Sequence, residues 1–307
     1  MLDIKSNVLL KDYSNYKIGG PARLFAEVET VEDLSGAQRF AQNDRVFVLG
    51  GGTNLLISDK GFDGCIIHNN IKGFNKAEGG LEVGSGVLIK DLLDFCIENS
   101  LSGLEWAGGL PGTVGGAVRG NAGAFGGETK DNIAQVKSLD LLGEEKERSN
   151  EECNFGYRNS VFKLDVTSEI ITTVVFNLKE GNKIDIQKQI QEKIDYRNLK
   201  HPMNYLNIGS TFKNIPFNSL SHDLQKEFAP FVKTDPFFVV PTTKLLALCG
   251  LKGRKVGGAM ISDKHPNFIV NIDNAKAEDV KELIKIAKES VKQKYGIGLE
   301  EEIIHLE

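Results

Sequence analysis

A glycine-rich stretch from Gly103 to Glu128 constrains the fold of this chain more than any other feature. Nine of the twenty residues from Gly108 to Gly127 are glycine. Glycine loses the most backbone entropy on folding and packs no side chain, so we expect neither a packed helix nor an ordinary strand here. The interleaved apolar residues argue against a flexible linker. The stretch therefore predicts main chain lying flush against a flat or anionic ligand, the alternative being tight turns in a β-rich domain.

Composition narrows the class of protein. A chain of 307 residues allows two or three domains. Its formal charge of −5 argues against non-specific nucleic-acid binding, although a local basic groove could still hold a phosphorylated ligand. Apolar runs are too short to span a membrane, and the N-terminal sequence MLDIKSNVLLKDY has no signal-peptide pattern. We expect a cytoplasmic protein that does not bind membranes.

Cysteine and histidine usage indicates that the chain carries no metal site. The four cysteines lie far apart without a CxxC pair, and each is interpreted as a small buried apolar residue. The five histidines form no HExxH or HxH pair. Neither a disulfide framework nor a bound metal is predicted.

Strand and helix patterns alternate along the chain. Residues 24–28 predict a strand, Thr30 begins a helix with Asp33 in its first turn, and Val46–Leu49 predicts a buried strand. That strand runs into Gly50-Gly51-Gly52-Thr53-Asn54, whose amide groups and threonine hydroxyl suit a pyrophosphate. No GK[ST] or GxGxxG pattern follows, and a plain hairpin turn is the alternative.

The second half continues the alternation. IITTVVFNL predicts a strand at Ile170–Leu178, and isoleucines at 186, 190 and 194 predict an amphipathic helix. The composition shifts after His201-Pro202, where we place a domain boundary. Residues 244–251 predict a further helix, residues 267–271 a strand, and apolar residues from Val280 to Val291 a long C-terminal helix. The chain is therefore an α/β or α+β protein.

Three polar segments are candidates for chemistry. Tyr157-Arg158 follows Phe155-Gly156, and an arginine there would suit a carboxylate or a developing enolate. The alternative is an ordinary surface arginine.

The second polar segment, Gly209-Ser210-Thr211-Phe212-Lys213-Asn214, places a hydroxyl beside a glycine and a lysine. No GxSxG elbow accompanies it, so a proton donor or a phosphate site is favoured over a hydrolase, with a plain turn serine as the alternative.

The third segment is GLEEEI near the C-terminus. Its carboxylates at 300, 301 and 302 enter an apolar run. In a strand, Glu300 and Glu302 would share one face and Glu301 the other. The alternative to a catalytic glutamate is a charged lead-in to a terminal strand.

Seven motifs together resemble one family. GGPARLF, GGGTNLL, the central glycine block, FGYRNS, GSTFKN, GLKGRKVGGAMISDKHPNFIVN and GLEEEI occur in the order found in the UDP-N-acetylenolpyruvoylglucosamine reductase (MurB) family, from about Ile18 to Ile303. The chain is similar to the shorter type, which lacks an insertion carrying an extra tyrosine.

The resemblance implies an α+β fold. It comprises an FAD-binding module of the vanillyl-alcohol-oxidase (PCMH) type in two subdomains and a C-terminal α+β substrate-binding domain. The implied divisions are residues 1–75, 76–203 and 204–307, with the terminal strand returning to the active site.

The resemblance also implies the reaction. NADPH reduces non-covalently bound FAD, and the hydride then reduces the enolpyruvyl ether of UDP-N-acetylglucosamine to UDP-N-acetylmuramate, in peptidoglycan precursor synthesis. The implied partners are small molecules only, with no nucleic acid and no membrane, and a monomer is favoured.

Site residues follow from the matching motifs. The resemblance implies Ser210 as proton donor, with Arg158 and Glu302 stabilising the enolate. Substrate contacts are implied for Tyr157, Lys213 and Asn214. The implied cofactor residues are Gly50, Gly51, Gly52, Thr53, Asn54, Leu110, Pro111, Gly112, Thr113, Gly115, Gly116, Ala117, Asn121, Ala122 and Gly123.

Some alternatives stay open at this point. An offset of one would make Glu301 the active carboxylate, and His265 either contacts the flavin or, as we favour, braces its loop. A flavin-linked sugar or alcohol oxidase is a competing function, although such enzymes often tether the flavin through a histidine that GGGTN lacks. A non-catalytic nucleotide-sugar sensor is another, which the joint presence of Arg158, Ser210 and Glu302 argues against.

Overall fold

The computed structural model of the chain describes residues 2–140, 142–163, 169–235 and 237–307. The α-helices in these residues are α1 (Val31–Phe40), α2 (Ile89–Glu98), α3 (Val114–Gly120), α4 (Lys183–Lys200), α5 (His222–Phe228), α6 (Thr242–Leu248) and α7 (Ala277–Tyr295). The strands are β1 (Ile4–Leu9), β2 (Pro21–Val28), β3 (Val46–Leu49), β4 (Leu55–Ile57), β5 (Phe62–Asn69), β6 (Phe74–Ala77), β7 (Gly80–Gly84), β8 (Leu101–Ser102), β9 (Gly123–Ala124), β10 (Gly127–Glu128), β11 (Ile133–Leu139), β12 (Glu145–Ser149), β13 (Ile170–Phe176), β14 (Lys179–Glu180), β15 (Ile215–Pro216), β16 (Val239–Val240), β17 (Lys255–Val256), β18 (Ala259–Ile261), β19 (Ile269–Asn271) and β20 (Ile304–Leu306). Of the helices described, none has the length and apolar character that crossing a membrane requires.

The chain forms two compact units, and each is contributed by several segments. Unit 1 comprises Met1–Val8, Ala22–Gly51 and Asp63–Asp195. Unit 2 comprises Leu9–Pro21, Gly52–Phe62 and Tyr196–Glu307. The functional division at residues 75 and 203 stays a prediction.

The first sheet of unit 1 has the strand order β1-β2-β5-β3, with β3 parallel to β5. Helix α1 begins where the sequence predicts, because the Thr30 hydroxyl accepts a hydrogen bond from the Asp33 amide at 3.1 Å. Leu34 and Ala37 of this helix are fully buried in one cluster with residues of β2 and β5. The predicted strand Val46–Leu49 is confirmed.

The second sheet of unit 1 has the order β12-β11-β13-β7-β6 and its pairings are antiparallel. Its strand β13 confirms the strand expected at IITTVVFNL. The core beside it combines apolar residues of the sheet with those of α2 and α3 and with Ile186 and Ile190 of α4. Burial of these two isoleucines confirms the amphipathic helix.

Part of the glycine-rich stretch is helical, so the expectation of no packed helix was wrong. Residues 114–120 form α3, and its Val114, Ala117 and Val118 are buried. This spacing of i, i+3 and i+4 gives a short apolar face that packs into the core of unit 1. Tertiary packing therefore outweighs the poor helix propensity of its glycines.

Unit 2 has its core around α6 and α7 and the antiparallel sheet β17-β18-β19. The predicted C-terminal helix is confirmed, with Val280, Leu283 and Val291 buried. The strand expected at residues 267–271 begins two residues later, at β19. Strand β20 pairs in parallel with β4, so the chain's last segment lies beside the residues that follow GGGTN.

Candidate active site

Two predicted cofactor segments of unit 1 lie main chain against main chain. A Cβ atom built on Gly51 would lie 2.8 Å from Cα of Gly112, and one built on Gly50 would lie 2.6 Å from Oγ1 of Thr113. The Gly112 carbonyl is itself fixed, since it accepts the Ile89 amide at 3.0 Å. Side chains at either glycine would push the two segments apart.

The first turn of α3 continues this arrangement. Thr113 caps the helix, and its hydroxyl accepts the Gly116 amide at 3.3 Å. The Gly115 amide donates to the Ser85 carbonyl at 2.8 Å, and a Cβ atom at Gly115 would lie 2.9 Å from Cβ of Ser85. Gly115 thus lets α3 approach residue 85 closely.

In unit 2, the remaining residues of GGGTN supply three consecutive backbone amides. Gly52 has φ +60°, and a Cβ atom there would lie 1.9 Å from the Tyr13 carbonyl oxygen, so only glycine fits. The amides of Gly52, Thr53 and Asn54 donate to no acceptor within the described residues. Three consecutive donors of this kind fit a diphosphate such as that of FAD.

Arg158 lies at the tip of a tight turn in unit 1. It adopts φ +54°, a left-handed conformation that costs a non-glycine residue on the order of 1–3 kcal/mol. Its Nη2 atom donates to the Gly123 carbonyl at 2.8 Å, and its guanidinium lies 5.2 Å from the centre of the Tyr157 ring. Strain held at a partly exposed arginine is typical of a functional position.

The Asn121–Gly123 segment follows α3 and is tied to its surroundings. Asn121 is fully buried, and its side-chain amide donates to the Gly156 carbonyl at 2.9 Å. The Ala122 carbonyl accepts both the amide and the hydroxyl of Thr129, each at 2.8 Å. Contact of these three residues with the cofactor stays a prediction.

Ser210 lies in unit 2 on backbone that is held on both sides. The Gly209 amide donates to Oδ1 of Asn207 at 3.0 Å, and the Thr211 amide donates to the Asn267 carbonyl at 2.7 Å. Within the described ranges, the half-buried Ser210 hydroxyl has no hydrogen-bond partner. A fixed backbone with an uncommitted hydroxyl suits a proton donor.

Asn267 is a residue whose importance the sequence analysis missed. It is 3% exposed, and its carboxamide makes two hydrogen bonds to Phe212, accepting the amide at 3.0 Å and donating to the carbonyl at 2.8 Å. The sequence indicated it only as the first residue of a strand. An asparagine opening a buried apolar run was the available signal, because a buried amide requires partners.

The three glutamates of GLEEEI lie beside the Ser210 segment, and Glu301 forms an antiparallel β-bridge with Phe212. The Glu302 amide donates to the Thr211 carbonyl at 2.8 Å, and the Lys213 amide donates to the Glu300 carbonyl at 2.9 Å. The side chain of Asn54 donates to the Glu302 carbonyl at 3.0 Å. The structure therefore brings together the Asn54, Ser210 and Glu302 motifs within unit 2.

Two of the predicted substrate contacts, Lys213 and Asn214, already have protein partners. The ammonium of Lys213 pairs with the exposed carboxylate of Glu300. Oδ1 of Asn214 accepts the Thr242 amide at 3.1 Å. A phosphate at this position would compete with Glu300 for Lys213, and the role of both residues stays a prediction.

His265 packs in an aromatic cluster of unit 2. Its ring centre lies 5.0 Å from that of His201 and 4.9 Å from that of Phe268. Burial, reinforced by neighbouring positive charges, lowers the pKa of each histidine to about 4. These contacts agree with a residue that braces its loop, which stays a prediction.

Comparisons with known proteins extend over the whole chain. Residues 22–147 match the family described as FAD binding domain, and residues 201–306 match that described as UDP-N-acetylenolpyruvoylglucosamine reductase, C-terminal domain. The reductase of that name from Syntrophomonas wolfei is 36% identical over 304 residues, covering 98% of this chain and 94% of that protein. That from Caldicellulosiruptor bescii is 38% identical over 300 residues, covering 96% and 88%.

A solved structure agrees. The crystal structure of UDP-N-acetylenolpyruvylglucosamine reductase (MurB) from Thermus caldophilus matches with a TM-score of 0.78 and 33% identity, covering 100% of both chains. Together with the glycine segments, these matches define an FAD-dependent oxidoreductase with the predicted α+β fold. The chain belongs to the UDP-N-acetylenolpyruvoylglucosamine reductase family.

Proposed function

We propose that this chain uses NADPH to reduce the enolpyruvyl ether of UDP-N-acetylglucosamine to UDP-N-acetylmuramate. Bound FAD supplies hydride transfer, from NADPH to the terminal vinyl carbon of the ether. A proton must then reach the adjacent carbon, which bears the ether oxygen and the carboxylate. The observation that carries this proposal is the Ser210 hydroxyl, which is uncommitted among the described residues while its backbone is fixed.

Ser210 delivers that proton. Its neighbours are held by Asn207 and Asn267, so the backbone that carries the hydroxyl stays in place while the reaction proceeds. Positioned proton donors contribute typically 10²- to 10⁴-fold to a rate. The serine regains its proton from solvent after product leaves.

Arg158 and Glu302 stabilise the charge that develops when the hydride adds. Negative charge then spreads over the carbon and its carboxylate, and a fixed guanidinium binds that state more tightly than the substrate. Glu302 contributes in its protonated or hydrogen-bonded form, since a bare carboxylate would repel the enolate.

Binding is divided between the segments described above. We assign FAD to the close-packed Gly50–Gly51 and Leu110–Ala117 segments, to the backbone donors of Gly52–Asn54 and to Asn121–Gly123, with non-covalent attachment. Tyr157, Lys213 and Asn214 bind the nucleotide substrate. We assign residues 1–75 and 76–203 to the two FAD-binding subdomains and residues 204–307 to the substrate-binding domain, with Tyr157 as a substrate contact from outside that domain. The protein is then a cytoplasmic monomer that acts on small molecules.

An anaerobic titration tests the function. Purified wild-type protein should be yellow, bleach with NADPH and recover its colour when the enolpyruvyl nucleotide is added. Ser210→Ala should bleach normally but recover its colour at least 100-fold more slowly. Ser219→Ala, which removes an exposed hydroxyl bonded to the Pro216 carbonyl, should behave as wild type.

Two results would contradict the proposal. Colour that returns with oxygen but not with the nucleotide would identify an oxidase. A protein that cannot be loaded with FAD would exclude both enzymes.

A further inference from the structure

Gly156 and Asn159 close the turn that carries Arg158 through two backbone hydrogen bonds. The Gly156 amide donates to the Asn159 carbonyl at 3.0 Å, and the Asn159 amide donates to the Gly156 carbonyl at 3.2 Å. Tyr157 and Arg158 form the tip between them, and Arg158 occupies the third position with φ +54°. Glycine or asparagine normally occupies such a position. The surrounding structure must therefore hold the arginine there.

Asn121 is the side chain that holds the base of this turn. It is fully buried at the C-terminal end of α3, with φ +40°. Its Nδ2 atom donates to the Gly156 carbonyl at 2.9 Å, and its Oδ1 atom accepts the Lys130 amide at 3.2 Å. Both ends of the carboxamide therefore bond to backbone of two different loops.

Other contacts join the same two segments of unit 1. Nη2 of Arg158 donates to the Gly123 carbonyl at 2.8 Å, two residues beyond Asn121. The buried Ser160 hydroxyl donates to the Arg119 carbonyl at 2.8 Å, two residues before it. Residues 119–123 thus contact the arginine loop before its tip, at its tip and after it.

We propose that Asn121 is a positioning residue for Arg158, which it fixes relative to α3. This inference rests on the proposed function, in which Arg158 stabilises the enolate. The carboxamide of Asn121 fixes the position of the Gly156 carbonyl. Gly156 in turn fixes the backbone of Tyr157 and Arg158 at the tip of the turn, and that backbone determines where the guanidinium lies. Because α3 belongs to the segment assigned to FAD, Asn121 sets the distance from the arginine to the reacting carbon without touching that carbon.

Asn121→Gly is the test variant, because glycine accepts the left-handed backbone while both side-chain hydrogen bonds are lost. Asn121→Asp keeps an acceptor for Lys130 but cannot donate to Gly156. Asn150→Ala is the matched control. The Asn150 side chain also makes two hydrogen bonds to backbone, donating to the carbonyls of Lys130 and Ile133, and among the described residues it makes no hydrogen bond to the arginine turn.

Each half of the reaction is measured separately by stopped flow. Because Asn121 also belongs to a segment assigned to FAD, FAD affinity is measured for each variant and all rates are taken at saturating FAD. In Asn121→Gly and Asn121→Asp, relative to Asn150→Ala, we expect reoxidation by the nucleotide to be lowered at least about tenfold more than reduction by NADPH. Reoxidation by the enolpyruvyl nucleotide should fall on the order of 100-fold, as misplacement of a stabilising group by about 1 Å does. In an Arg158→Ala background, Asn121→Gly should cause no further loss, because the two residues act as one unit.

A crystal structure of Asn121→Gly gives a readout independent of activity. We expect Arg158 to leave its left-handed conformation and to lose its bond to Gly123. An arginine that stays in place, or losses that add in the double variant, would overturn the inference. If the wild type fails to reoxidise with the nucleotide, the proposed function fails instead, and the crystal structure alone decides the positioning of Arg158.

Discussion

Glu300, Glu301 and Glu302 are adjacent in sequence but reach different surroundings. Glu300 pairs with Lys213. The carboxylate of Glu301 lies 2.5 Å from Nζ of Lys288 and 2.6 Å from Nε2 of His305. Glu301 lies in a β-bridge with Phe212, and successive side chains of a strand alternate between its two sides, so we expect Glu302 to face away from Glu301. The structure thus gives Glu301 a structural partner on α7, which favours Glu302 as the active carboxylate.

Substitution of the two residues separates these roles. Glu302→Gln should lower the rate of substrate reduction by roughly 10²- to 10³-fold with little change in the free energy of unfolding. Glu301→Gln should keep the rate within about threefold but lower the free energy of unfolding by about 1 kcal/mol, since it loses charge-assisted bonds to Lys288 and His305. Stopped-flow rates and urea unfolding measure the two effects, and the reverse pattern would make Glu301 the active residue.

The dependence of the free energy of unfolding on pH in acid tests the structural role of Glu301 in a second way. The hydrogen bond from His305, with help from Lys288, lowers the pKa of Glu301 to about 2. The carboxylate of Glu301 is therefore protonated at a higher pH in the unfolded chain than in the folded chain. The stability that the ionised carboxylate contributes is lost as the pH falls from about 4.5 to about 2. Glu301→Gln should lack this part of the pH dependence.

At the scale of elements, the glycines of α3 differ in whether close packing requires them. Its glycines differ in what a side chain would meet. A Cβ atom at Gly115 would lie 2.9 Å from Cβ of Ser85, whereas one at Gly120 meets no atom of the described residues within 4 Å. Only the first position requires glycine for close approach.

This contrast predicts opposite effects of the same substitution. Gly115→Ala should lower the free energy of unfolding by about 1–3 kcal/mol through overpacking and weaken FAD binding on the order of tenfold. Gly120→Ala should leave FAD binding unchanged and raise the free energy of unfolding by up to about 1 kcal/mol, because alanine favours a helix. Calorimetry with and without FAD measures both, and equal effects at the two positions would contradict the assigned packing.

At the scale of the whole molecule, the sequence predicts elements and motifs better than it predicts their partners. The helix beginning at Thr30 and strand β3 follow from local capping and apolar patterns. Helix α3 does not, because its stability comes from burial of Val114, Ala117 and Val118 in a core assembled from distant segments. Glycine content describes the chain's own preference, whereas packing depends on what surrounds it.

The same limit applies to the candidate site. Motif order indicated Arg158, Ser210 and Glu302 because their types suit the chemistry. It did not indicate that Asn121 bonds Gly156 or that Asn267 bonds Phe212, since these contacts join residues 35 and 55 positions apart. Long-range side-chain bonds of this kind leave no periodic signal in one sequence.

Unit 2 contains two half-buried histidines, His201 and His265, whose protonation should lower the stability of the protein in weak acid. His201 and His265 pack against Phe268, and the positive charges of Arg197, Lys233, Lys252 and Lys264 lie near them. Burial is the main cause of their lowered pKa, and these charges add to it. Protonation of either ring therefore opposes folding.

The free energy of unfolding should fall as the pH drops from about 6.5 to about 4, the window between the ordinary histidine pKa and the lowered values of about 4. The unfolded chain binds more protons than the folded chain there, so stability is fully present above pH 6.5 and is lost below it, by up to about 3 kcal/mol for His265. His265→Phe keeps an aromatic ring but cannot titrate, and it should flatten this part of the curve. The exposed His222, replaced by alanine, serves as control and should leave the slope unchanged. Urea unfolding at intervals from pH 4 to 8 gives the free energy of unfolding of wild type, His265→Phe and His222→Ala. An equal slope against pH in wild type and His265→Phe would show that the His265 ring does not cause the pH dependence.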